Sequence, residues 1–219
     1  MFILHLKHSV ANHFIAEMRD AQIQRDSMRF RRNLERVGEI LAYEISKTFN
    51  YYSVEIVTPL GVSTNHLIEK QPVLATILRA GLPFHQGFLN YFDKAENAFI
   101  GSYRGKPDEE QHFEIVQEYI TAPNLEGKTL ILTDPMLATG KSFIAAYKAL
   151  EKFGTPKYFH IATVIASKVG VEHVRTYFEK IFGKRFFIWI GALDNMLNSK
   201  SYIVPGLGDA GDLAFGSKQ

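Results

Sequence analysis

Short apolar runs alternate with helical stretches along most of this chain, and that alternation limits the possible folds more than any other feature. The runs "VEIVT", "VLATIL", "AFIGSY", "TLILT", "YFHIATVIA" and "FFIWI" are short and rich in β-branched and aromatic residues, so they read as buried strands. Between them, "GLPFHQGFLNYF", "SFIAAYKALEKFG" and "VGVEHVRTYFEKIFG" read as helices, the last two closed by Gly154 and Gly183. A helix between two strands returns the chain to the same end of the sheet, which makes the strands parallel and covers both sheet faces. The expected fold is α/β, a mostly parallel sheet flanked by helices, in a single domain spanning 1–219. Ligands in such folds sit at the carboxyl ends of the strands, which directs attention to "RAG", "YRGK" and "DPMLATGKS".

A long N-terminal helix precedes the sheet. Phe30, Leu34, Val37, Leu41, Ile45 and Phe49 recur at steps of three or four, one apolar stripe, with Asp26 placed to cap the start and Asn50 marking the end. The opposite face carries Arg25, Arg29, Arg31, Arg32 and Arg36 beside Glu35 and Glu39. Such a face is either solvated or subunit-facing, or an RNA contact, and its mixed charge favours the first.

The 219 residues are 46% apolar, ample for a buried core, and 25 basic against 23 acidic residues leave a net charge of only +2. That balance argues for small-molecule partners over nucleic acid. The absence of cysteine excludes disulfides and thiolate chemistry, and "MFILHL" is too short for a signal or membrane segment, so a cytoplasmic protein with no membrane partner is expected. The eight histidines show no metal-ligand spacing, and His5 and His8 read as part of an N-terminal segment.

The stretch "DPMLATGKS" ends like an ATP-binding P-loop, Gly140-Lys141-Ser142. A P-loop needs glycine where Pro135 stands, and proline has neither the amide donor nor the backbone freedom to wrap a phosphate. A helix opening near Ser142 would still present free amides and a favourable dipole to an anion, and a phosphate monoester fits that cradle.

These residues resemble the phosphoribosyl-diphosphate (PRPP) loop of the type I phosphoribosyltransferases. Together with "ILAYE", "VEIVTPL", "ILRAGL", "IGSYR" and "YIVPGLGDAGDLAFG", in order from about Arg19 to Gly216, the chain is similar to the uracil phosphoribosyltransferase family within that group. The resemblance implies transfer of the phosphoribosyl group from PRPP to uracil, giving UMP and diphosphate in pyrimidine salvage. It also implies a homodimer or higher homo-oligomer.

By the same resemblance, Pro135, Met136, Leu137, Ala138, Thr139, Gly140, Lys141 and Ser142 line the PRPP site, with Ala138 to Ser142 around its 5-phosphate. Asp134 would face the ribose, where a fixed negative charge favours an oxocarbenium-like transition state. A capping aspartate is the plainer account of the same residue. Arg79 and Arg104 are implied as diphosphate contacts, which suits paired guanidinium donors and a leaving group gaining charge. Ala80 and Gly81 leave room for its close approach. Ile203, Gly208, Asp209 and Ala210 fall in a C-terminal hood segment, 194–219, that would read uracil, with Asp209 also on the PRPP side. Magnesium is implied mainly as PRPP's own counter-ion, with Asp209 its one candidate protein ligand.

Residues 104–118 read as either a mobile arm over the site or a plain solvated hairpin. The chain departs from the family pattern at Lys141, where glycine is usual, at Leu213, where arginine is usual, and at "GKP" after Tyr103-Arg104, where acids are usual. The alternative function is an RNA-binding regulator of pyrimidine operons built on the same fold. Thr133 before Asp134, where such regulators carry a second acid, and the complete C-terminal motif favour the enzyme.

Overall fold

The computed structural model describes residues 1–107 and 113–217, with side chains for all of these except 102–107 and 113–118. The chain begins with strand β1 (Phe2–Ile3), helix α1 (Ala11–Arg19) and the long helix α2 (Ser27–Ser46). Asp26 caps α2 as its position suggested, accepting the Arg29 backbone N–H at 3.0 Å. Phe30, Leu34, Val37, Leu41 and Ile45 are buried as one stripe, while Phe49 lies just beyond the helix and is half-buried.

A hairpin follows, β2 (Tyr51–Thr58) and β3 (Gly61–Ile68), and then β4 (Val73–Leu78), α3 (Gly81–Leu89), β5 (Glu96–Pro107) and β6 (Phe113–Thr121). The second half comprises β7 (Thr129–Thr133), β8 (Met136–Leu137), α4 (Lys141–Leu150), β9 (Tyr158–Ser167), α5 (Lys168–Phe182) and β10 (Phe186–Asp194). Two short strands, β11 (Met196–Leu197) and β12 (Ile203–Val204), and helix α6 (Ala210–Phe215) close the chain.

The central sheet runs β1-β10-β9-β7-β4-β5-β6, with β8 also paired to β9. Every pairing in it is parallel except β5 with β6. Period-two alternation sorts the side chains: Leu130 and Leu132 of β7 enter the core under α4 and α5, whereas Ile131 enters the core under α1, α2 and α3. On the α1–α3 face, burial lowers the His160 pKa to about 3, and the neutral ring accepts a hydrogen bond from Trp189 Nε1 at 3.0 Å. No helix among the described residues is long and apolar enough to cross a membrane.

The run "VEIVT" is a correction to the sequence reading. It belongs to β2, which pairs only with β3 among the described residues, and neither strand contains a fully buried residue. Its apolar residues project with the hairpin instead of filling the sheet. The β5–β6 ribbon runs into the stretch 104–118, whose tip and Arg104 side chain lie outside the described residues.

The α2–α3 contact is set by glycine. A Cβ on Gly87 would meet the Glu35 carbonyl oxygen, the Glu39 nitrogen at 2.7 Å and Gly38 Cα at 2.9 Å, all backbone atoms that cannot rotate away. Gly87→Ala should therefore lower unfolding stability by about 1–3 kcal/mol, although alanine is intrinsically the better helix former. Urea denaturation measures this, and an unchanged or raised midpoint would contradict such close packing.

Candidate active site

Thr76 and Thr133 are register partners on β4 and β7, both fully buried near the carboxyl ends of their strands. Each hydroxyl donates to the neighbouring strand: Thr133 Oγ1 to the Ala75 carbonyl at 3.0 Å, Thr76 Oγ1 to the Thr133 carbonyl at 3.3 Å. This cross-bond fixes the relative positions of the two loops that leave those strands, one starting at Arg79 and the other at Asp134. Gly81 is required there, because a Cβ would strike the Thr76 hydroxyl.

The two loops line a cleft of about 170 Å³ together with the C-terminal segment. Its walls bring Arg79, Asp134, Met136 and Ala138 from the sheet end to Ile203, Gly208, Asp209 and Ala210 from the other side. Ile203 and Ala210 are buried, and Gly206 and Gly208 adopt left-handed φ of 58° and 94°. The cleft thus sits where an α/β sheet is expected to bind. A larger cavity of about 460 Å³ opens at the amino ends of β7 and β9, lined by residues such as Lys70, Lys128 and Tyr158, and contains none of the sequence-predicted site residues.

The loop after β7 is held from behind by the β9–α5 junction. Ser167 Oγ donates to the Ala138 carbonyl at 2.5 Å, and His173 Nδ1 donates to the Thr139 carbonyl at 2.7 Å. Gly170 allows this approach, since a Cβ would meet the Ala138 oxygen. Gly140, at φ 79°, caps α4, whose first residue is Lys141. With the Ala138 and Thr139 carbonyls tied back, and the Lys141 amide held only by a long 3.4 Å bond to Thr139 Oγ1, the α4 amino end can receive an anion. Lys141 is exposed, Thr139 and Ser142 are half-buried, and Pro135 and Leu137 are buried.

Asp134 is half-buried, and its Oδ1 accepts the Met136 N–H at 3.4 Å. Arg79 reaches across the cleft toward Asp212, 3.6 Å away, and donates to the Gly216 carbonyl at 3.4 Å. An exposed contact of this length adds little stability, which leaves the guanidinium available to a stronger anion. Asp209 caps α6, its Oδ1 accepting from the Gly211 and Asp212 amides at 2.9 and 3.0 Å.

Across residues 5–217 the sequence matches the family model described as uracil phosphoribosyltransferase. The chain belongs to the uracil phosphoribosyltransferase family. A protein of that name from Porphyromonas gingivalis is 52% identical over 220 residues, covering 100% of both chains. Another, from Pyrococcus furiosus, is 36% identical over 205 residues, covering 92% of this chain and 84% of its own. Among solved structures, a protein from Aquifex aeolicus superposes with a TM-score of 0.83 at 30% identity, covering 99% of each chain. The mostly parallel, helix-covered sheet is the type I phosphoribosyltransferase fold.

The hydrogen bonds bring in side chains that sequence motifs did not single out. Ser167 and His173 hold the loop after β7, while Arg31 donates to the Ala214 carbonyl at 2.7 Å and lies over the Phe215 ring, pinning α6. Asp194 could have been flagged by its place, since it ends the apolar run of β10 as Asp134 follows that of β7. Arg19 carries no comparable signal.

Proposed function

We propose that this enzyme, a pentosyltransferase, moves the 5-phosphoribosyl group of PRPP to uracil, giving UMP and diphosphate. The observation that carries this reading is one cleft in which the phosphate-loop strand end and the C-terminal motif face each other. In the reaction a bond forms between the uracil ring nitrogen and the anomeric carbon, the bond from that carbon to diphosphate breaks, and the nitrogen loses its proton. Ala138 to Ser142 bind the 5-phosphate through backbone amides, with the Thr139 and Ser142 hydroxyls as further donors. Asp134 orients the ribose and stabilises positive charge at its anomeric carbon. Arg79, joined by Arg104, receives the diphosphate as its charge grows. Ile203, Gly208 and Ala210 read the base with main-chain groups.

Magnesium suits this site as PRPP's own counter-ion. The cleft offers hard carboxylate oxygens from Asp134 and Asp209, although one Asp209 oxygen is engaged in capping, and among the described residues no group of three or more potential ligands forms a cage. When bound, the ion neutralises charge on the diphosphate; Asp209 is its protein-side candidate.

We further infer a homodimer or larger homo-oligomer, supported by the hairpin, which packs on the core at Ile68 but leaves Leu60 100% and Val57 85% exposed, an apolar end that a partner could cover. A nucleic-acid partner is not supported by the basic face of α2. Arg29 pairs with Glu17, Arg32 with Glu35, Arg31 with the Ala214 carbonyl and Arg36 with Asn33. PRPP and UMP are highly charged metabolites that do not cross membranes unaided, which supports a cytoplasmic reaction.

The test is incubation with labelled uracil and PRPP, with magnesium or with a chelator, followed by analysis for UMP. UMP only in the magnesium arm is expected; none in either arm would refute the reading. Replacing Lys141 by glycine should leave UMP synthesis intact and raise the PRPP KM no more than about tenfold, because backbone amides remain and only one exposed charge is lost. ATP hydrolysis by the wild type, lost on this change, would point to a P-loop instead.

A further inference from the structure

The C-terminal loop is clamped by an ion pair whose partners come from opposite ends of the chain. Arg19, the last residue of α1, donates from Nη2 to Asp194 Oδ1 at 2.8 Å and from Nη1 to Asp194 Oδ2 at 2.9 Å. The same Nη1 donates to the Gly206 carbonyl at 2.9 Å, and the Gly206 amide donates to Asp194 Oδ2 at 2.9 Å. Both backbone polar groups of one glycine are therefore held by one charge pair, and Asp194 is only 7% exposed. Gly206 lies between Ile203 and Gly208, sits in the left-handed region and has no room for a side chain, since a Cβ would meet the Ile203 carbonyl.

We infer that Arg19 and Asp194 are positioning residues for base recognition: by clamping Gly206 they set the backbone of Ile203 and Gly208 in the arrangement that accepts uracil. This deepens the assignment of those residues to uracil and rests on it. The geometry explains the residue types. A planar guanidinium can hold two carboxylate oxygens and a carbonyl at once, which lysine cannot do with the same direction and rigidity. Removing either partner alone would leave the other a buried, uncompensated charge. The clamp touches neither the phosphate loop nor Asp134, so its loss should act on the base and spare PRPP.

The experiment uses Arg19→Lys and the double variant Arg19→Met/Asp194→Leu. The lysine keeps the charge but loses the fork; the double removes both buried charges, which commonly leaves a fold stable. UMP formation is followed with uracil varied at saturating PRPP and with PRPP varied at saturating uracil, alongside thermal melting. Arg19→Lys should raise the uracil KM about tenfold or more and change the PRPP KM by less than about twofold, since small misplacement of a binding group is costly. The double should still melt cooperatively, below the wild type because the buried Gly206 amide and carbonyl lose their partners, and should keep the raised uracil KM because Gly206 remains unclamped. A double variant with wild-type uracil KM, or equal rises in both KM values for Arg19→Lys, would show the pair to be structural only and overturn the inference. A wild type that fails to convert uracil would instead remove the substrate assignment beneath it.

Discussion

Cytosine should be used at least about 10³-fold less efficiently than uracil in kcat/KM, although the two bases have nearly the same size and shape. Uracil presents N3–H between two carbonyl oxygens; cytosine presents a bare N3 beside a 4-amino group, so two positions reverse polarity. A side chain could rotate to suit either pattern, but a reader made of main-chain groups cannot exchange a donor for an acceptor. The loop here has little freedom to adjust. Ile203 and Ala210 are buried, and Gly206 is bonded at both its amide and its carbonyl. Each buried mismatch costs about 1–3 kcal/mol, and two of them reach the stated ratio. The comparison is made at saturating PRPP. Cytosine within tenfold of uracil would remove backbone readout and, with it, the substrate assignment.

Asp134→Asn should lower kcat by about 10²-fold while changing the PRPP KM much less. Asparagine keeps the shape and an oxygen able to accept the Met136 amide, so the loop geometry survives. What disappears is a fixed negative charge beside the anomeric carbon, whose positive charge exists chiefly in the transition state. The Thr76–Thr133 cross-bond does not involve the Asp134 side chain, so the strand ends should stay in place. Steady-state kinetics with melting as a control measure the effect. Near-normal kcat would mean that Asp134 only shapes the loop.

The local parts of this molecule were legible in the sequence and the assembled parts were not. The loop between β7 and α4 could be placed because it is one contiguous stretch between a strand and a helix. The C-terminal motif could be read for the same reason. "VEIVT" was misread because a strand buried in a sheet and a strand in a projecting hairpin share composition; only the partner differs, and here it is β3. The edge strand β1 and the helix α1 were missed because two residues of strand carry no period and α1 mixes polar with apolar positions. The Arg19–Asp194 clamp joins residues 175 positions apart, a pairing that no local pattern records.

That separation bears on when the protein acquires its two halves. The half of the cleft proposed for PRPP is drawn from β4, β7 and the loops after them, whereas the half proposed for the base needs α1 and α2 to meet residues near the other terminus, through Asp194 and the Ala214 carbonyl. A chain emerging from the ribosome amino end first holds Arg19 and Arg31 long before their partners exist. Loop closure over such distances is slow, so the sheet can form around the phosphate loop while the base loop is still unformed. If the C-terminal loop reads the base as proposed, uracil recognition is the property expected last during synthesis.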